Sequence, residues 1–181
     1  MRLQVGGARG VGKSTVTCLL SKRLDEEGIG IKVIHTTQTF VEHVIKNNLN
    51  LSELNLQERT RMKREIFLKQ MKFNNVLLDG HYSDLVDNKY VSALSPDLWS
   101  MLDVHVLMEI PIKELYLRRK ADLSKTRVTA IEFIEAEVKA ERLFAEKVCD
   151  DNKKELITIT NINITDSVIK LQDILKQLMR R

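Results

Sequence analysis

Gly7-Ala8-Arg9-Gly10-Val11-Gly12-Lys13-Ser14-Thr15 decides the reading of this chain. Positions 7–14 match the pattern G-x-x-x-x-G-K-[ST]. The context matches too: Arg2–Val5 reads as a short strand before it, and Lys13–Glu27 as a helix after it, with Val16, Leu19, Leu20 and Leu24 at helical spacing. Glycines allow successive backbone N–H groups to turn inward around phosphate oxygens. The helix that follows presents its free N–H groups and positive dipole end to the same anion. Lys13 is expected to reach the β- and γ-phosphates of a nucleotide, Ser14 to hold Mg²⁺, and Thr15 to approach the α-phosphate.

Working outward, strand and helix alternate five times, which predicts an α/β layered fold on a largely parallel sheet. Ile31–Ile34 reads as the second strand, Phe40–Asn47 as a short helix and Leu56–Phe73 as a longer basic one. Val76–Leu78 is a buried strand, and residues 82–100 read as irregular. Val104–Met108 is the fourth strand, and Ile112–Ala121 a helix with Pro111 at its first position. Asp122–Arg127 is a polar loop, Ala130–Val148 a helix and Leu156–Thr160 the fifth strand. Thr165 or Asp166 caps a final helix.

With 181 residues, the chain is read as one domain, residues 1–181. Apolar residues make up 43% and charged residues 30%, enough for a packed core. The net charge of +4 is too small to imply nucleic acid without clustering. Apolar runs such as Val76-Leu77-Leu78 are far shorter than the roughly 18 residues of a membrane helix, so no membrane partner is expected. Cys18 and Cys149 are widely separated and form no disulfide framework, and no apolar leader is evident, so a cytoplasmic location is expected. Cys18 reads as a small buried residue.

Val76-Leu77-Leu78-Asp79 ends an apolar strand in a carboxylate. In sheets of this class, ligands bind outside the carboxyl ends of the strands, which brings Asp79 to the metal beside the loop. His81 follows in Asp79-Gly80-His81. With the loop, this motif resembles the small P-loop nucleoside monophosphate kinases, and among them the archaeal adenylate kinase group. It also resembles the adenylate kinase-like ATPases of ribosome assembly, which carry Asp-x-His at that place.

The resemblance implies a P-loop NTPase fold with a five-stranded parallel sheet in the order 2-3-1-4-5. It also implies an acceptor-binding excursion over about 36–75 and a short lid over about 119–128. ATP and Mg²⁺ are the implied cofactors, with AMP the default acceptor. Gly7 to Thr15 would bind ATP, Ser14 and Asp79 the metal. Two features depart from the pattern: Arg9 stands where many relatives have proline, and His81-Tyr82-Ser83 stands where common adenylate kinases carry Phe-Pro-Arg.

Two basic clusters fit the same frame. From Arg118 to Arg127 there are five cations in ten residues, against one acid. By resemblance Arg119 and Arg127 are lid arginines, and Arg142 a further arginine near the transferring phosphate. Such donors offset charge that builds on the phosphoryl oxygens. A solvated basic helix end is the plainer alternative. Arg59, Arg61, Lys63 and Arg64 lie where the family binds its monophosphate, and Thr36, Thr37 and Gln38 follow the second strand at its carboxyl end. His35, His43 and His105 have no metal-ligand spacing and read as packing or surface residues, and Trp99 is not read as a base-stacking platform.

The leading expectation is an ATP:nucleoside monophosphate phosphotransferase with catalytic Lys13, Asp79, His81, Arg119, Arg127 and Arg142. The alternatives are an ATPase working in ribosome or RNP assembly, which alone would involve nucleic acid, or a kinase of another small metabolite. A GTPase is disfavoured because no N-K-x-D occurs; Asn152-Lys153-Lys154-Glu155 has the wrong last residue. The sequence leaves a homo-oligomer open.

Overall fold

A computed structural model describes residues 1–124 and 127–179. In chain order its elements are β1 (Arg2–Gly6), α1 (Lys13–Glu26), β2 (Lys32–His35), α2 (Thr36–Lys46), α3 (Leu56–Gln70), β3 (Val76–Asp79), β4 (Ser83–Val86), β5 (Lys89–Ser92), α4 (Pro96–Ser100), β6 (Val104–Glu109), α5 (Ile112–Ala121), α6 (Ile131–Asn152), β7 (Leu156–Thr160) and α7 (Ile164–Met179).

Five strands form one parallel sheet in the order β2-β3-β1-β6-β7. Counted without the separate β4–β5 hairpin, this is the expected 2-3-1-4-5. Side chains alternate across the sheet, as pleating requires. Leu3, Val5, Leu77, Val104 and Val106 face a core closed by α1 and α7. Val76, Leu78 and Leu107 face a second core, with Phe40 of α2, Met62 and Phe67 of α3, Trp99 of α4 and Val148 of α6. Both faces are thus covered, which is why the strands read as nearly continuous apolar runs.

Several sequence expectations need correction. Residues 82–100 are not irregular: they hold the antiparallel β4–β5 hairpin and α4. Asp87 and Asn88 both take left-handed φ, 49° and 58°, making the two-residue turn whose twist suits a hairpin. The second helix begins at Thr36 and not at Phe40, so β2 runs into it directly. Cys18 is exposed, because α1 turns Val16, Thr17, Leu20 and Leu24 inward instead. The last helix is capped two residues before Thr165, the earlier of the expected caps: the Asn163 side chain accepts from the amides of Thr165 and Asp166. Pro111 caps α5 with extended backbone and is not its first helical residue.

Candidate active site

The loop between β1 and α1 has the conformation its glycines allow. Gly12 sits at the α1 N-cap with φ 96°, a left-handed value unfavourable for other residues, and no side chain caps the helix. No side chain thus takes up the amides at the start of α1, the kind of helix end that suits an anion. Ser14 and Thr15 are exposed there. Lys13 is buried, and its ammonium folds back onto the Gly7 and Ala8 carbonyls at 2.6 and 3.1 Å. Burial lowers its pKa, against the opposing pull of the Glu141, Asp79 and Glu137 carboxylates.

The back of the loop is fastened by α6, through two glutamates one turn apart. Glu141 Oε2 accepts from the Gly7 amide at 3.0 Å and from the Tyr82 amide at 2.9 Å; its Oε1 accepts from the Ser83 amide and hydroxyl at 3.1 and 2.8 Å. Burial would raise its pKa; contacts with His81, Lys13 and the Tyr82 amide instead bring it down to about 2. Glu137 Oε1 accepts from the Arg9 amide and guanidinium, at 2.8 and 3.0 Å. Sequence reasoning missed both residues. Their signal was present: Ile134, Glu137, Glu141, Ala145 and Val148 form a single buried stripe of α6, with two acids where apolar residues belong.

Arg119 completes this arrangement and is not an exposed lid arm. It is 3% exposed, and Nη2 donates to Glu137 Oε2 at 2.8 Å while Nε donates to the Arg9 carbonyl at 2.9 Å. Arg127 donates to Asp122 Oδ2 at 2.9 Å across the turn after α5. Lys125 and Thr126, within the expected lid, lie outside the described residues. Arg142 is half-exposed and pairs with Glu109 and with Glu146.

Asp79 ends β3 beside β1, in register with Val5. Its Oδ2 is 2.7 Å from Nδ1 of the part-exposed His35, a contact that the reading of His35 as a packing or surface residue did not include. Gly80 is needed by close approach: a Cβ there would stand 2.2 Å from Thr36 Oγ1. His81 Nδ1 is 3.5 Å from Glu141 Oε1. Burial and the nearby Lys13 charge lower the His81 pKa, which keeps the imidazole neutral at neutral pH.

A cavity of about 180 Å³ adjoins the loop, between α2, α3 and the β4–β5 hairpin. Thr36, Thr37, Arg9 and His81 line its end near the loop, and Phe40 and Val86 are among its apolar walls. Gln38 does not line it and bonds Glu42 instead. Within the basic cluster, Lys63 and Arg59 reach the cavity. Lys63 pairs with Asp84 of the hairpin, and Arg59 is held by the Leu54 and Leu51 carbonyls at 2.9 and 2.8 Å. Arg64 instead pairs with Asp97 and Arg61 faces outward. Trp99 is buried, stacked on Tyr82 with centroids 5.4 Å apart, in keeping with its not being a base platform.

No helix among the described residues is long and apolar enough to cross a membrane. The family model described as an AAA domain matches residues 6–138. A curated relative named "Putative adenylate kinase", from Thermococcus onnurineus, is 36% identical over 94 residues, 52% of this chain and 48% of that protein. The match thus spans about half the length of that relative. Shikimate kinase from Bacteroides thetaiotaomicron has the same fold, with a TM-score of 0.67 at 15% identity over 97% of this chain and 98% of its own. A gluconokinase from Sinorhizobium meliloti gives 0.54 at 10% identity, over 98% and 96%.

Proposed function

The chain belongs to the AAA domain family, and from that premise we propose that it is an ATP-dependent nucleoside monophosphate kinase, adenylate kinase-like, with AMP or another monophosphate as acceptor. One observation carries this reading: a second cavity opens beside the phosphate loop, and Arg9 and His81 line it next to that loop. An ATP held by Gly7 to Thr15 would direct its γ-phosphate at whatever fills that cavity. Arg9, Arg59 and Lys63 outnumber the one carboxylate of the lining, Asp84, which favours an anionic acceptor.

The residues suit the cofactors. Lys13 would release the two loop carbonyls and take the β- and γ-phosphate oxygens instead. The Ser14 hydroxyl and the Asp79 carboxylate are hard oxygen donors of the kind Mg²⁺ takes, and His35 fixes the carboxylate's orientation. Mg²⁺, when bound, neutralises charge on the β- and γ-oxygens. Glu137 and Glu141 take the Gly7 and Arg9 amides and so brace the loop from behind, which would hold its remaining amides in place for the phosphates. Arg127 is the arginine best placed to swing onto the transferring phosphate, since among the described residues its side chain is held by the part-exposed carboxylate of Asp122. Arg142 would have to leave Glu109 to take part. Arg119 acts through Arg9 and Glu137. A phosphate acceptor is already a nucleophile and requires positioning and no general base.

Asp84 favours a second reading. A carboxylate in the acceptor cavity could take the proton of an alcohol, as a kinase of another small metabolite requires. Assaying AMP, CMP, GMP, UMP and the deoxynucleotides with ATP and Mg²⁺ tests the proposal. Diphosphate product supports it. Free phosphate alone, whatever acceptor is added, would identify an ATPase instead.

A further inference from the structure

Gln4 lies at the centre of β1, between Leu78 of β3 and His105 of β6 in register. It is 0% exposed, and neither the oxygen nor the nitrogen of its carboxamide has a hydrogen-bond partner. An amide in that condition destabilises a fold. Its register neighbours make no bond to it: Leu78 is apolar, and neither ring nitrogen of His105 is hydrogen-bonded to it or to any other group. The same side chain borders the acceptor cavity, together with His81.

We propose that Gln4 is a specificity-determining residue: its carboxamide reads the acceptor by hydrogen-bonding a neighbouring donor and acceptor on the ligand's base. A carboxamide presents one N–H₂ donor and one carbonyl acceptor side by side. The edge of a nucleobase that carries an exocyclic amino or oxo group beside a ring nitrogen presents the complement. The apolar walls, Phe40 and Val86 among them, suit the base's faces, while Arg9 and Lys63 suit the phosphate. A ligand seated in the cavity reaches Gln4 by a side-chain shift, the scale of change that commonly accompanies binding. The unmet amide is then matched only when the correct acceptor is present, and an acceptor lacking the edge leaves it buried and unmet. Sites built this way discriminate strongly.

This inference rests on the monophosphate-kinase reading and is tested separately from it. The best acceptor from the monophosphate panel is compared with its analogue lacking the exocyclic group, by calorimetric binding to wild type and to Gln4→Met. Wild type is expected to prefer the full acceptor by about tenfold or more. Gln4→Met is expected to bind both alike, to keep its ATP affinity within about twofold, and to melt no lower than wild type. Gln4→Leu is measured in the same way should the methionine variant fold poorly. A folded variant that keeps the wild-type preference overturns the inference while leaving the kinase reading intact. Equal loss of ATP and acceptor binding also overturns it, since that marks a structural residue. If wild type transfers phosphate to no monophosphate, the kinase reading fails and this inference fails with it.

Discussion

Arg119 and Glu137 form an ion pair sealed from solvent, with Nη2 and Oε2 2.8 Å apart and side chains 2% and 1% exposed. The same glutamate takes the amide and guanidinium of Arg9 in the phosphate loop. A buried pair adds little over an apolar core, but losing one partner strands a charge. Arg119→Ala should therefore destabilise the fold by about 3–5 kcal/mol, read as a lower denaturant midpoint. If the midpoint stays put while only kcat falls, Arg119 is a free lid arginine after all.

Lys13 and Arg127 should behave differently. Lys13→Ala should abolish turnover while the thermal midpoint changes little, because the ammonium touches loop carbonyls and not the core. Arg127→Ala removes a solvent-screened contact to Asp122, so the thermal midpoint should barely move. Its kcat should drop by roughly 10²–10³, with ATP binding retained. Loss of ATP affinity at unchanged kcat would make Arg127 a ground-state phosphate anchor.

Asp79 and His81 are separable. Asp79→Asn should weaken the Mg²⁺ dependence of every reaction, since it removes the charge a metal needs. His81→Ala should lower acceptor-free ATP hydrolysis while Mg·ATP binding persists, because a neutral imidazole beside the loop can orient water. Unchanged hydrolysis in a destabilised His81→Ala protein would make the histidine structural.

Glu141 sets an acid limit. Its carboxyl is brought from the usual 4.5 to about 2 in the folded chain. A lowered folded-state pKa means that its stabilisation is complete above about 4.5 and is lost as pH falls toward 2. That contribution is on the order of a few kcal/mol. Wild type should lose stability steeply across that window in acid melts, and Glu141→Gln should begin less stable and show a shallower slope. Parallel slopes would mean that other carboxylates govern the acid transition.

The phosphate loop, Asp79 and the sheet order were legible because each is a local pattern: a glycine-rich turn, an apolar strand ending in an acid, alternating elements. The hairpin was legible in principle, since Asp87-Asn88, between Leu85-Val86 and Lys89-Tyr90-Val91, is a two-residue turn signal. The His35–Asp79 contact was not, because 44 residues separate the partners and only the β2–β3 pairing brings them together. Arg119 misled for a related reason. A cation in a basic run reads as exposed until its partner, 18 residues on, is seen beneath the loop.

The acids that brace the loop come 128 and 134 residues after the amides they hold. During synthesis the glycine-rich turn leaves the ribosome before α6, and its clasp is made only when α6 has emerged. Until α6 docks, the Gly7 and Arg9 amides lack their carboxylates, and the turn is an unbraced glycine segment.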